Sequence, residues 1–317
     1  MSAALIGLAW SVVGHTLSTM HPLRALLVYL VWVFAGGALL APWVYHATIW
    51  AARTLGWAGL AEVPFHRIVS RCLQVLALLG LWPLLRHLGM RTWRALGLGK
   101  PKGEWGRVGW GFAAGFGGLA SVAILAVALG ARSLNLEQSA ASFGRHLFNA
   151  GSAAIVAGFL EELLFRGALF GGLRRVHSWP VSLAVSSAVY AMVHFFARPL
   201  APASVTWLSG LVQLGGMVGG FCELDKLVPG FLNLSLAGVI LGVAYQRTGT
   251  LYFSIGLHAG WIFWLKSYGF LTRESAASSH WFWGSSKLID GWAALAVLGV
   301  TLGFIMRHHF DREEVAS

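Results

Sequence analysis

The chain of 317 residues is 57% apolar and only 11% Asp, Glu, Lys and Arg, with a mean hydropathy of +0.68, against roughly a quarter charged in an ordinary soluble domain. Twelve acids and 23 bases cannot clothe a water-soluble surface of this size, so lipid is the expected solvent. The formal charge of +11 points to loops beside anionic headgroups and not to nucleic acid, because the bases fall in short gaps between long apolar runs.

In chain order, residues 1–20 are apolar with no Lys or Arg before Arg24, which fits an interfacial helix better than a cleavable signal peptide. Runs free of acids and bases, and of about spanning length, follow at 25–52, 108–131, 176–197, 199–222, 227–246 and 248–265, and two shorter stretches are counted with them: 67–86, whose terminal arginines can snorkel to the headgroups, and 291–306, extended by Leu288 and Ile289. Residues 147–170 add a ninth candidate if they carry Glu161, Glu162 and Arg166 inside. The expected fold is all-α, a polytopic membrane helix bundle of about eight to nine transmembrane helices. It is read as one structural unit with N-terminal helices at 1–140, a core at 141–270, and a C-terminal helix with a polar tail at 271–317. The most polar connection, residues 91–107, holds Arg91, Arg94, Lys100, Lys102 and Arg107 against Glu104, so the positive-inside rule places it in the cytoplasm. The expected location is a bacterial cytoplasmic membrane. Cys72 and Cys222 offer neither a disulfide framework nor a CxxC metal site.

Ionisable groups at membrane depth cost a few kcal/mol each on insertion scales, so they face protein or water. That makes Glu161-Glu-Leu-Leu-Phe-Arg166 the most informative stretch. Glu162 and Arg166 are four apart, the spacing of a same-face ion pair, whereas Glu161 points about 100° away and lacks such a partner. The bland alternative for the Glu162 and Arg166 pair is a registry device in a helix bundle. His194 and His258 stand in runs otherwise nearly free of ionisable groups, while His15, His21, His46, His66, His87, His146 and His177 fall near expected helix ends or loops.

From a turn near His177 and Ser178, Glu161 and His194 are each about 16 residues away, or ~25 Å at helical rise. His258 follows a turn at 247–249 by about nine residues, ~14 Å. That turn is expected at the opposite face, three crossings later, which still brings all three side chains to one layer. Glu with His can activate a water for attack on an amide, a second His donating to the oxyanion. The same Glu161, His194 and His258 are also a hydrolytic zinc ligand set, although no HExxH is present.

At these residues the sequence resembles the CAAX protease and bacteriocin-processing family of intramembrane proteases, which includes the CAAX prenyl protease type 2 enzymes. The resemblance covers about residues 151–263. Glu161 to Arg166 is similar to its EExxxR motif, Tyr190-Ala-Met-Val-His194 to its FxxxH motif with Tyr for Phe, and residues 231–249 to its third conserved helix. His258 opens what looks like its HxxxN motif, with Ile262 where Asn is usual.

The resemblance implies Glu161 as water-activating base, His194 as its partner and His258 in the oxyanion site. Glu162, Arg166 and Tyr190 are supporting residues. A metal-free glutamate mechanism is favoured, so no cofactor is expected, with zinc at Glu161, His194 and His258 as the alternative. The implied partners are the lipid bilayer and a membrane-anchored protein or peptide, cleaved near its C-terminus. Ile262 motivates a rival reading, a non-catalytic membrane scaffold or immunity-type protein of the same family. Counting crossings from loop 91–107 puts Arg174 and Arg175 on the cytoplasmic side and the reactive layer nearer the outer face.

Overall fold

A computed structural model of the chain describes residues 22–196, 202, 204–222, 227–276, 278–308 and 310; the expected interfacial helix at 1–20 lies outside them. The main helices are α1 (Pro22–Val31), α2 (Gly37–Leu55), α3 (Phe65–His87), α4 (Trp105–Ala128), α5 (Ala140–Glu162), α6 (Trp179–His194), α7 (Ser209–Val218), α8 (Gly230–Thr248), α9 (Tyr252–Leu271) and α10 (Trp292–Arg307). Among the described residues, strand is confined to β1 (Arg132–Leu134) and β2 (Thr272–Glu274), antiparallel with Ser133 opposite Arg273. The all-α membrane fold read from the sequence is what the chain adopts. Three helical stretches, Arg24–Leu55, Phe65–His87 and Trp105–Ala128, are long and apolar enough by themselves to cross a bilayer.

The chain divides into two compact units, neither of them continuous in sequence. One comprises residues 1–91 and 195–223. In it α1 passes through a π-helical turn, Trp32–Gly36, into α2, which packs on α3 around Ala41, Phe65, Ile68, Val69 and Cys72. Gly210 of α7 lies so close to α2 that a Cβ there would stand 1.8 Å from the Ala38 carbonyl oxygen. The run 199–222, expected to span, contains only the ten-residue α7 and a 3-10 turn among its described residues.

The other unit comprises residues 92–194 and 224–317. At its centre α9 packs against α4 and α5, and α8 against α6 and α10. Lipid removes most of the hydrophobic drive for helices to associate, so close packing must supply it. Glycines four apart do so on both sides of the α4 and α9 crossing. A Cβ on Gly111 or Gly115 would stand 2.2 Å from the Phe253 or Leu257 carbonyl oxygen, and one on Gly256 would stand 2.0 Å from that of Val108.

α5 begins at Ser139, whose hydroxyl accepts from the Ser142 amide. Its far end continues through a π-helix, Leu163–Phe170. α8 stops at Gly249, which takes the left-handed conformation a β-carbon disfavours (φ 74°) and donates to the Tyr245 carbonyl.

One end of this unit is strongly basic. The loop after residue 92 folds over the turn between α8 and α9: the Leu251 amide donates to Gly97 O (2.8 Å), Thr250 Oγ1 to Glu104 Oε2 (3.0 Å) and Tyr252 Oη to Gly99 O (2.9 Å). Arg174, in the turn before α6, donates to Gln246 Oε1, and Arg247 to the His308 carbonyl after α10. Arg94, Lys100, Lys102, Arg107, Arg174, Arg175, Arg247 and Arg307 thus gather at one end with Glu104. Acids at the opposite end offset its bases, as in the pairs Arg132 with Glu274 (3.2 Å) and Arg273 with Glu137 (2.5 Å). The Arg273 guanidinium holds the Glu137 carboxyl below the usual carboxylate range.

This arrangement corrects the expected topology. The turns at 174–178 and 247–249 share one end instead of facing opposite ways; the crossing count had credited residues 199–222 with a full span. His258 lies about six residues into α9 from the basic end and about thirteen from the other, so the layer it occupies is nearer the basic end than the opposite one.

Candidate active site

Three helices bring the expected residues together. Glu161 and Glu162 close α5, His194 closes α6 with Tyr190 one turn before it, and His258 sits on the inner part of α9 between Gly256 and Gly260. His194 Nε2 and His258 Nε2 face the same atom, Glu161 Oε2, at 3.5 and 3.6 Å. Both separations exceed a direct N–H···O bond. That oxygen is buried and has no hydrogen-bond partner among the described residues. The Glu161 and His194 side chains keep 30% of their exposure and form the mouth of the site; Glu162, Arg166, Tyr190 and His258 are buried behind them.

The tautomers follow from the partners. His194 Nδ1 stands 2.7 Å from the Tyr190 carbonyl oxygen, and His258 Nδ1 stands 2.9 Å from Glu162 Oε1. Both partners only accept, so each Nδ1 carries a proton, and each ring turns its Nε2 towards Glu161. Tyr190 Oη, 3.2 Å from His258 Nε2, donates to it. With that bond made, Glu161 Oε2 and His194 Nε2 are left facing the mouth, where a water could bond to both.

Glu162 does more than the i, i+4 spacing implied. Its Oε1 accepts from Arg166 Nη1 at 2.8 Å and from His258, so it couples the buried guanidinium to the imidazole. Arg166 also donates to the Gly238 carbonyl (3.4 Å) and lies over the Tyr190 ring at 4.4 Å. The bond from His258 to Glu162 had no signal in the sequence, since it joins side chains 96 positions apart on different helices. The glycines flanking His258 could have been read as a small-xxx-small contact face. Ile262, one turn beyond His258, is half-buried and offers no donor.

The zinc alternative needs Glu161, His194 and His258 around one point. Among the described residues no group of three or more His, Cys, Asp or Glu is disposed to hold a metal ion, and His258 Nε2 already takes the Tyr190 hydroxyl. No step below is routed through a metal.

A bundle of apolar helices with carboxylates and imidazoles gathered between them is that of an integral membrane protein. Residues 143–264, less than half of the chain, match the family model described as Rce1-like, type II CAAX prenyl endopeptidase. No curated protein and no solved structure matches the chain.

Proposed function

We propose that this protein is an intramembrane endopeptidase that hydrolyses a peptide bond near the C-terminus of a membrane-associated protein, with Glu161 as base. The observation that carries the proposal is the buried, unpartnered Glu161 Oε2 facing two imidazole nitrogens. Glu161 and His194 hold the water at the mouth of the site. As its oxygen attacks the scissile carbonyl carbon, Glu161 takes its proton. The oxyanion forms beside Tyr190 Oη and His258 Nε2. Glu162, anchored by Arg166, keeps His258 oriented, and the Tyr190 hydroxyl turns its proton from His258 Nε2 to the oxyanion as negative charge develops. The tetrahedral intermediate collapses with cleavage of the C–N bond, and the proton passes from Glu161 to the departing amine.

The positive-inside rule places the basic end, and the nearer mouth of the site, towards the cytoplasm. Purified protein should cleave an anchored candidate substrate, and Glu161→Gln should abolish cleavage with helicity unchanged. Undiminished turnover in that variant would overturn the assignment. Ile262 favours a rival reading, a non-catalytic scaffold; any cleavage by the wild-type chain dismisses it, and activity gained only in Ile262→Asn sustains it.

A further inference from the structure

A cleft of about 360 Å³ opens at the basic end of the second unit, between the turn before α6 and the last turn of α8, away from Glu161 and its partners. Its volume lies within the range of small-ligand sites. Arg174, Arg175, Trp179, Tyr245 and Gln246 line it. Arg174 is built into the wall: it stacks over Phe170 and Tyr245 at 5.1 and 5.2 Å and is tied to the Gln246 amide oxygen. The guanidinium is therefore positioned before any ligand arrives, and Arg175 beside it is exposed.

From the cleft the exposed side of α6 descends as Val181, Ala184, Val185, Ala188 and Met192, an uncharged stripe at helical spacing. On the opposite side of the same helix Ser182, Leu183, Ser186, Ser187 and Tyr190 are buried. A cationic pocket with an interfacial Trp, continuous with an apolar strip running into the bilayer, matches a molecule with an anionic head and hydrocarbon tails. We infer that the cleft binds the phosphate of an anionic phospholipid, its acyl chains lying along α6. The cytoplasmic side assigned to this end is where anionic lipids act on juxtamembrane bases.

Native mass spectrometry of the full chain in detergent, titrated with phosphatidylglycerol, phosphatidylcholine or inorganic phosphate, tests this. Tight retention of one phosphatidylglycerol is expected, with phosphatidylcholine weaker. Arg175→Gln should weaken phosphatidylglycerol binding about fivefold. Gln246→Glu keeps the bond to Arg174 while placing a carboxylate in the cleft, and should weaken binding at least as much. Unchanged phosphatidylglycerol affinity in both variants, or equal retention of phosphatidylcholine, would overturn the inference. Displacement of the lipid by millimolar inorganic phosphate would make this a free-anion site and overturn the lipid assignment.

Discussion

Tyr190 lays its ring edge-on to Phe165 (centroids 5.1 Å apart) and beneath Arg166, with its hydroxyl reaching His258. Packing and chemistry can be separated here. Tyr190→Phe keeps the ring contacts and removes one donor at the oxyanion position, and losing such a donor typically lowers kcat by ~10²–10³. A fall of that order in kcat, with KM and melting temperature little changed, is the expected outcome; kcat within twofold of wild type would remove Tyr190 from the mechanism. Glu162 is a poorer probe, because neutralising it strands a buried Arg166, a disruption that typically costs about 3–5 kcal/mol. At this scale the ion pair of Glu162 and Arg166 was legible from its spacing, and so were the isolated histidines. Which carboxylate each imidazole takes was not, because that choice depends on the rotation of three helices about their own axes.

Among the elements, α9 carries the most consequence, since its glycines set how near it comes to α4 and hence where His258 stands. Gly256→Ala should destabilise the protein, because the added methyl would stand 2.0 Å from the Val108 carbonyl oxygen, and overpacking of this kind costs typically ~1–3 kcal/mol. Gly117→Ala, on the same α4 but with nothing within 4 Å of the added atom, should be neutral or slightly stabilising. Thermal unfolding in detergent compares the two; equal melting temperatures would show that close approach is not what holds α9. The π-helix from Leu163 to Phe170 is a second device of this kind, an irregular stretch directly after the paired glutamates. Apolar periodicity does not mark it, since the residues entering it are as hydrophobic as the rest of their helix.

For the whole molecule, the second unit states its own orientation through the excess of arginine and lysine at one end. Single cysteines at Ser178 and Ser279, introduced with Cys72 and Cys222 replaced by serine, report the two ends. A membrane-impermeant maleimide applied to intact cells should label Ser279→Cys at once and Ser178→Cys only after lysis. The reverse pattern would move the mouth of the site to the outer side.

Composition alone determined the solvent, because hydropathy adds residue by residue and 11% charge leaves no way to cover a soluble surface. The lone intramembrane carboxylates and histidines could likewise be found by eye, since each is costly where it stands. The order of the crossings, the common end of the turns at 174–178 and 247–249, and the link from Glu162 to His258 came only with the tertiary structure. These depend on contacts between helices distant in sequence, fixed by backbone approach at glycines and by a π-helical turn, and a pattern local to one helix does not encode them.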